Sequence, residues 1–462
     1  MVRWPGWVPI LVGALAMLLY AESVAGPFQY DDWFTVVESD PSHAQAGPAL
    51  PGRPEAFRPV TTGSRVFDHA WALLLPTLAQ DHPAFGFHLN NVILHGAASA
   101  LVWWVVRLWW ADALMAALAG ALFAIHPFHS EAVNYISARS SVLAACWELA
   151  ALGAYTSWRR GLGSRWWMVG VVSAAAALGA KESAVTLPLL LWLVDAVLIA
   201  PADGWRARVT RLWPWAVLVA GYVAARLLAV SDVTGGSEYS SGDRLAALAT
   251  GLWILGAAAR DAWWPWSLSV EHGIEPLHGA RVWLVLVLAA LAAIGAVVAW
   301  RRRRSSESPE GVLGMGLFAL AWWVAAALPT LALPFITHVA LYLENRFYLA
   351  SVGFIAFGAW LAARAWRSVA SRAGPAVPIV AALVLVIGLV AGSHARTTVW
   401  KSEVVLWRDA ANKAPGSALA HAMLGAAYLG QNRPDLAIKP LEQAVRLDPR
   451  YPLAATNLGA AY

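Results

Sequence analysis

Charge is scarce in this chain. Aspartate, glutamate, lysine and arginine make up 13% of its 462 residues, against roughly a quarter in a soluble domain. That composition excludes an ordinary water-soluble enzyme. Lysine is rarer still: Lys181, Lys401, Lys413 and Lys439 are the only four, and Lys181 alone falls in the first 400 residues. The net charge of +5 is mostly arginine in short loops, so it reflects membrane topology and leaves no basic patch for nucleic acid. With Cys146 as the single cysteine, no intrachain disulfide forms, and cysteine content says little about compartment.

Apolar and aromatic residues fill the space that charge leaves. Hydrophobic residues make up 59% of the chain, with 28 tryptophans. Apolar stretches of about 18–23 residues recur, long enough to cross a bilayer. Tryptophan pairs (Trp103/Trp104, Trp109/Trp110, Trp166/Trp167, Trp263/Trp264, Trp322/Trp323) fit interfacial belts. The expected fold class is all-α: a polytopic membrane helical bundle of about 11–12 segments, followed by an α-α repeat solenoid. Arginine-rich, alanine-rich, lysine-poor usage suggests a GC-rich bacterial genome and hence a bacterial cytoplasmic membrane.

Spans are expected at 7–23, 88–110, 113–128, 135–157, 165–180, 183–200, 212–230, 282–300, 311–333, 348–366 and 376–395. The first also has the form of a signal-peptide core, with "SVA" before Gly26 resembling a cleavage site. Four arginine clusters orient the bundle: Arg159, Arg160 and Arg165; Arg206, Arg208 and Arg211; the run at 301–304; and Arg364, Arg367 and Arg372. With the N-terminus inside, all four fall on the cytoplasmic side. Residues 244–265 are apolar enough to cross, but a crossing there would put the 301–304 arginines outside. They are read as interfacial, re-entrant or half of a hairpin, and Arg260 and Asp261 support incomplete insertion. Segments 24–87, 126–139, 180–183, 231–243, 266–281 and 334–347 then share the extracytoplasmic face with the tail from 396.

The division expected is a membrane-embedded domain, 1–395, and extracytoplasmic tetratricopeptide repeats, 396–462. Leu424, Gly425, Tyr428, Ala437, Leu441, Ala444 and Pro449 stand at the spacing of that repeat, and Leu458, Gly459 and Tyr462 renew it. Trp407, Ala410 and Pro415 match the second helix of a preceding unit. The chain stops within a repeat, so a truncated chain is expected.

Four polar motifs lie on the extracytoplasmic face. In "FQYDDWFTVV", Asp31 and Asp32 are a general base and its supporting carboxylate, or else a solvated turn. In "AKES", Lys181 with Glu182 would hold a phosphate at headgroup level, or else snorkel as a structural pair. "HPFHSEAVNYISAR" carries His126, His129, Glu131 and Arg139. Its histidine spacing is not that of a helical metal site. Polar substrate binding fits better, with Arg139 on a phosphate or sugar. "YLENRFYLAS" carries Glu344 and Arg346, a structural pair or a substrate contact. Asn91 and His95, at i and i+4, share a helix face and suit interhelical hydrogen bonds.

In this order "YDDW", "FHLNNVILH", "HPFHSEAVNYISARSSVL", "LGAKESAVTLPLLLWLVD", "ENRFYLASVGF" and the repeats resemble one family across nearly the whole chain. It is that of the transmembrane and tetratricopeptide repeat-containing O-mannosyltransferases and their bacterial relatives, in glycosyltransferase superfamily C. The resemblance implies a polyprenyl-phosphate sugar donor, with mannose expected, and serine or threonine hydroxyls of exported proteins as acceptors. It implies Asp31 or Asp32 as base. Lys181, Glu182, Arg139 and Arg346 would serve the donor phosphate and sugar, and His126, His129, Glu131 and Glu344 the acceptor side. The repeats would hold the acceptor polypeptide. No metal ligand set is committed, although a divalent ion near the aspartates is compatible with the pattern. The competing readings are sugar transfer to a lipid or envelope glycan, and a transporter or flippase for a polyprenyl-linked substrate. Transporters, however, tend to carry midplane charges on broken helices of repeated halves.

Overall fold

The computed structural model describes residues 6–30, 32, 58–229, 243–303, 311–335 and 341–462. Asp31 and most of the expected external loop at 231–243 lie outside the described residues. Among those described there is no strand.

The helices are α1 (Val8–Leu19), α2 (Pro59–Leu74), α3 (Pro76–Asp81), α4 (Phe85–Trp110), α5 (Ala113–Ile125), α6 (Ser130–Asn134), α7 (Arg139–Arg159), α8 (Arg165–Ala180), α9 (Leu187–Val194) and α10 (Trp205–Ala229). Then come α11 (Arg244–Trp263), α12 (Ala280–Arg303), α13 (Val312–Ala327), α14 (Ser351–Ala373), α15 (Ala376–Val399), α16 (Glu403–Lys413), α17 (Ala418–Gly430), α18 (Pro434–Leu447) and α19 (Pro452–Ala461). Each expected span coincides with one of them. Among the described residues, seven helical stretches, one of them Glu182–Ile199 around α9, are long and apolar enough to cross a bilayer by themselves. The chain is an integral membrane protein. α1 and α8 are shorter, and α7 carries Arg139, Glu148 and Arg159, which lowers its apolarity.

Local chemistry sets the breaks. Ala111 turns left-handed (φ 55°) to end α4, and the Asp112 carboxylate accepts from Met115 N to start α5. At His126–Pro127 the chain bends by 52° between α5 and the turn that follows, because proline cannot continue the ladder. Small residues let helices approach closely: a Cβ on Gly153 of α7 would overlap the Trp104 ring of α4. The main core, with Val102, Phe123, Leu149, Leu191, Trp322 and Ile355, lies among α4, α5, α7, α9, α13 and α14.

The two ends of the bundle differ. At one end the Asp195 carboxylate is buried and accepts from Arg159 Nε at 2.8 Å, Arg211 Nη1 at 3.2 Å and Tyr155 OH at 3.0 Å. Arg367 and Asp112 pair at 2.8 Å where α4 joins α5. The polar motifs gather at the other end. α7 separates the two by 21 residues, or about 31 Å.

Helix α11 passes the length and composition test for a crossing, yet both its halves are tied to the motif-bearing end. Thr250 Oγ1 accepts from Leu277 N, and Ala246 and Ala249 pack on Val282 in the first turn of α12. Near its other end, Asp261 accepts from Ser267 Oγ and Tyr342 OH.

Helices α16 to α19 form antiparallel pairs. The consensus residues Leu424, Ala437, Leu441 and Ala444 are buried, and Gly425 leaves room for the Leu441 side chain. These helices dock on the bundle through Trp400, Trp407, Tyr135 and Tyr30, and Lys413 Nζ donates to Leu268 O at 2.7 Å.

Residues 24–87 were read as a loop, but 59–74 form α2, which lies against α4. The approach is close enough that a Cβ on Gly86 would overlap the backbone carbonyl of Asp68. Gly63, on α2, has no atom within 4 Å of a Cβ. Gly86→Ala is expected to destabilise the protein by about 1–3 kcal/mol, read as a lower unfolding midpoint in detergent. Gly63→Ala is expected to hold or raise that midpoint, since alanine favours the helix.

A candidate active site lined by cations

Helix α2 supplies one wall of a cavity of about 300 Å3. Arg58, Thr61, Thr62 and Arg65 line it, at the spacing that puts them on one face of a helix. Phe67 and Leu74 on the opposite face, with Val66 and Leu73 on its flank, are exposed, which suits contact with lipid at the membrane surface. The rest of the wall comes from Tyr135–Ser140, Lys181, Glu182, Leu333, Leu343, Asn345 and Arg346. Of the residues expected at the donor, Lys181, Glu182, Arg346 and Arg139 thus share one cavity.

Arg139 departs from its expected role. It is buried, and each of its nitrogens has an internal partner. Nη1 pairs with Asp68 Oδ2 at 2.5 Å, Nε donates to Asn91 Oδ1 at 2.8 Å, and Nη2 donates to Phe87 O at 2.8 Å. Asp68 Oδ1 accepts from Asn90 Nδ2 at 2.6 Å. Arg139 is therefore a brace joining α2, α4 and α7, with its charge neutralised by Asp68. Breaking such a pair on one side costs about 3–5 kcal/mol.

Lys181 follows α8 in extended conformation (φ −155°, ψ 139°). Its Nζ donates to Ser141 Oγ at 2.5 Å, and that hydroxyl donates to Asn345 Oδ1 at 2.9 Å. Asn345 Nδ2 donates in turn to Glu131 Oε1 at 2.6 Å. Arg58 grips Glu182 through two hydrogen bonds of 3.0 and 2.7 Å. Burial, and after it the Arg58 charge, lowers the Lys181 ammonium to about 7, while Glu182 pulls the other way. Among the described residues, five cations and a single carboxylate, Glu182, line the cavity.

The residues expected on the acceptor side all make hydrogen bonds within the protein. Glu131 Oε2 accepts from Glu344 N at 2.7 Å and Asn345 N at 3.3 Å, capping the turn Glu344–Phe347. His129 is buried, with Nδ1 against Phe123 O at 2.8 Å and Nε2 against Ser351 Oγ at 2.9 Å. His126 Nδ1 accepts from Phe128 N and starts the turn after the bend. Glu344 points away from the cavity, taking hydrogen bonds from Ser269 N at 2.8 Å and His272 Nε2 at 3.1 Å. Asn91 and His95 do bond between helices. Asn91 reaches Val133 O and Tyr135 O, and His95 reaches Tyr348 OH at 2.7 Å.

Asp32 is buried behind the cavity wall. Its Oδ1 accepts from Ser137 N at 2.8 Å and Ser137 Oγ at 2.7 Å, and its Oδ2 from Gln29 N at 3.0 Å. It anchors a turn in which Tyr30 is left-handed (φ 54°). A non-glycine residue held there costs about 1–3 kcal/mol and is typical of functional sites. The sequence reading missed Arg58, Arg65 and Asp68. Polar residues at 58, 61, 62 and 65 against apolar ones at 66, 67, 73 and 74 were the available signal. It also passed over Glu148, a buried carboxyl on α7 whose Oε1 has no hydrogen-bond partner.

Fold and site together define a helical membrane protein with a cation-lined cavity at one end of the bundle, beside docked repeat helices. No family model matches the chain. It is 35% identical over 197 residues to the protein O-mannosyl-transferase Tmtc1 of Drosophila melanogaster, covering 39% of this chain and 22% of that protein. It is 25% identical to protein O-mannosyl-transferase TMTC4 of Mus musculus, covering 94% of this chain and 66% of that protein. Against TMTC2 of Homo sapiens the identity is 27% over 38% of this chain and 22% of that protein. The chain is homologous to this family of protein O-mannosyl-transferases, and matches less than two thirds of the length of these relatives.

A cavity of this charge suits a phosphate group. Because the ammonium of Lys181 titrates at about 7, raising the pH above that value removes its proton and its attraction for an anion. Binding of a short prenyl phosphate to the purified protein is expected to weaken with each pH unit above about 7. In Lys181→Met, binding is expected to be weaker at pH 6 and to lose that dependence. Isothermal titration from pH 6 to pH 9 checks both.

Proposed function

We propose that this protein transfers a sugar, mannose by its relatedness, from a polyprenyl phosphate to serine or threonine hydroxyls of exported proteins. The observation that carries the reading is the cavity that gathers Arg58, Arg65, Lys181 and Arg346 next to the anchored Asp32 turn. In this reading the cavity opens on the extracytoplasmic side of a bacterial cytoplasmic membrane. The arginine clusters at the other end support that orientation, and the repeats offer the acceptor a surface on the same side.

The reaction is a single displacement. The acceptor oxygen forms its bond to the anomeric carbon as the bond from that carbon to the phosphate oxygen breaks. The electron pair leaves on the polyprenyl phosphate, and the hydroxyl proton passes to a carboxylate. One displacement inverts the anomeric centre. A serine hydroxyl is a weak nucleophile and needs a positioned base. Both oxygens of Asp32 already accept hydrogen bonds inside the protein, so its role is to anchor, and Asp31 takes the proton. Charge appearing on the leaving phosphate is stabilised by fixed cations in a dry site, worth several kcal/mol to the transition state. Lys181 and Arg346 supply it, with Arg58 held in place by Glu182. The exposed apolar face of α2 meets the lipid from which the donor arrives.

The test is transfer from labelled polyprenyl-phosphate mannose to a pool of exported-protein peptides by the purified full chain. Asp31→Asn is expected to lower kcat by roughly 10²–10⁴, the range for losing a general base. Lys181→Ala is expected to lower it by about 10². Absence of any labelled acceptor with the wild-type protein overturns the reading. So do Asp31→Asn and Lys181→Ala variants that fold and retain full activity.

A further inference from the structure

The repeat-bearing segment does more than offer an acceptor surface. The turn Gln29–Asp32 is gripped from two sides. On the bundle side, Ser137 donates twice to Asp32. On the other side, Gln29 Nε2 donates to the carbonyl of Trp400, which follows α15, and the Tyr30 ring packs edge-on against Trp407 of α16 at 5.3 Å. Tyr30 also lies 6.1 Å from Tyr135, a residue of the cavity wall, and Tyr135 stacks on Trp400 at 5.7 Å. Tyr30 is the left-handed residue of the turn, a conformation that persists only where its surroundings over-determine it.

We propose that Tyr30 and Trp407 are positioning residues: α16 locks the acidic turn in its catalytic shape through the Tyr30 ring. This rests on the reading of that turn as the site of proton transfer. Its consequence is that transfer even to a peptide too short to occupy the repeats depends on α16. The ring and the backbone strain are separable, because glycine accepts a positive φ without cost but carries no ring.

The experiment compares the full-length wild type with Tyr30→Phe, Tyr30→Gly and Trp407→Leu. Transfer from polyprenyl-phosphate mannose to a short serine/threonine peptide is followed alongside hydrogen–deuterium exchange at residues 29–32. Tyr30→Phe keeps the ring and is expected to hold kcat within about threefold of wild type. Tyr30→Gly and Trp407→Leu are expected to lower kcat about tenfold or more with the donor KM nearly unchanged, the pattern of a lost transition-state geometry. In both, the Asp32 amide, which donates to Gln29 O at 3.0 Å, is expected to exchange faster. Should Trp407→Leu fail to fold, Tyr30→Gly alone decides. Unchanged exchange in Tyr30→Gly overturns the lock, and faster exchange with unchanged kcat overturns its positioning role. Faster exchange in a wild-type background that transfers no sugar supports the lock while overturning the glycosyltransferase reading.

Discussion

The buried pair between Arg139 and Asp68 is the constraint on which the cavity depends. Arg139 begins α7, Asp68 sits on α2, and the shared partners Asn90, Asn91 and Phe87 belong to α4. α2 is also held by Thr61 Oγ1 donating to Ala180 O at 2.8 Å, by Trp71 Nε1 donating to Asn90 Oδ1 at 3.1 Å and by its close approach to Gly86, but only the Asp68 pair is a buried charge. The helix is short, one face is exposed apolar surface, and the other faces an open cavity. An ion pair buried on both sides stabilises little compared with an apolar contact, but it tolerates no partial arrangement. Either α2 lies where Asp68 meets the guanidinium, or two buried charges are left uncompensated. That makes the pair a locating device. It sets where Arg58, Thr61 and Arg65 point, one to three turns from Asp68 along the same helix.

A second line of hydrogen bonds fixes the opposite wall. Lys181 leans on Ser141, Ser141 on Asn345, and Asn345 on Glu131, which also caps the turn that carries Arg346. Each member satisfies the next, so Lys181 and the turn that carries Arg346, from distant parts of the sequence, are held in one line of contacts. Fixed dipoles in a low-dielectric setting keep their effect on a developing charge because they need no reorganisation. Glu131, expected from the sequence to contact substrate, is a member of this line of contacts.

How much of this could be read beforehand follows from the range of each interaction. The spans were readable because bilayer thickness imposes a local signal of about 20 apolar residues. The repeat helices were readable because Gly425, Ala437 and Leu441 pack by local spacing. The gathering of the polar motifs on one end followed from arginine placement alone. By contrast, whether Arg139 meets a ligand or Asp68 depends on a partner 71 residues away, and spacing carries no trace of that. α2 was missed for a different reason. A helix lying in the membrane surface needs no long apolar run, and its alternation of polar and apolar faces is weak beside eleven strong spans. Asp31 and Asp32, equivalent in sequence, separate only once Asp32 is seen to be buried and bonded on both oxygens.

The two ends of the bundle show why charge balance, more than charge itself, points to chemistry. At the far end Arg159, Arg208 and Arg211 converge on Asp195, and Asp203 lies beside Arg159 and Arg211. Tyr155 adds a further hydrogen bond. Those arginines are internal counter-charges that close the ends of α7, α9 and α10. At the cavity end the acids have been placed elsewhere: Asp68 is engaged by Arg139, Glu131 and Glu344 by backbone amides, Asn345 and His272, and Asp32 by Ser137. Among the described residues only Glu182 faces the cations across the opening. Arg58 and Arg139 are paired, with Glu182 and Asp68, as Arg159 and Arg211 are paired with Asp195 and Asp203. Among the described lining residues the cations still outnumber the carboxylate around a cavity of about 300 Å3, a balance that favours entry of an anion. In the proposed reaction, a carboxylate drawn into the cation cluster would have its pKa lowered and be a weaker base.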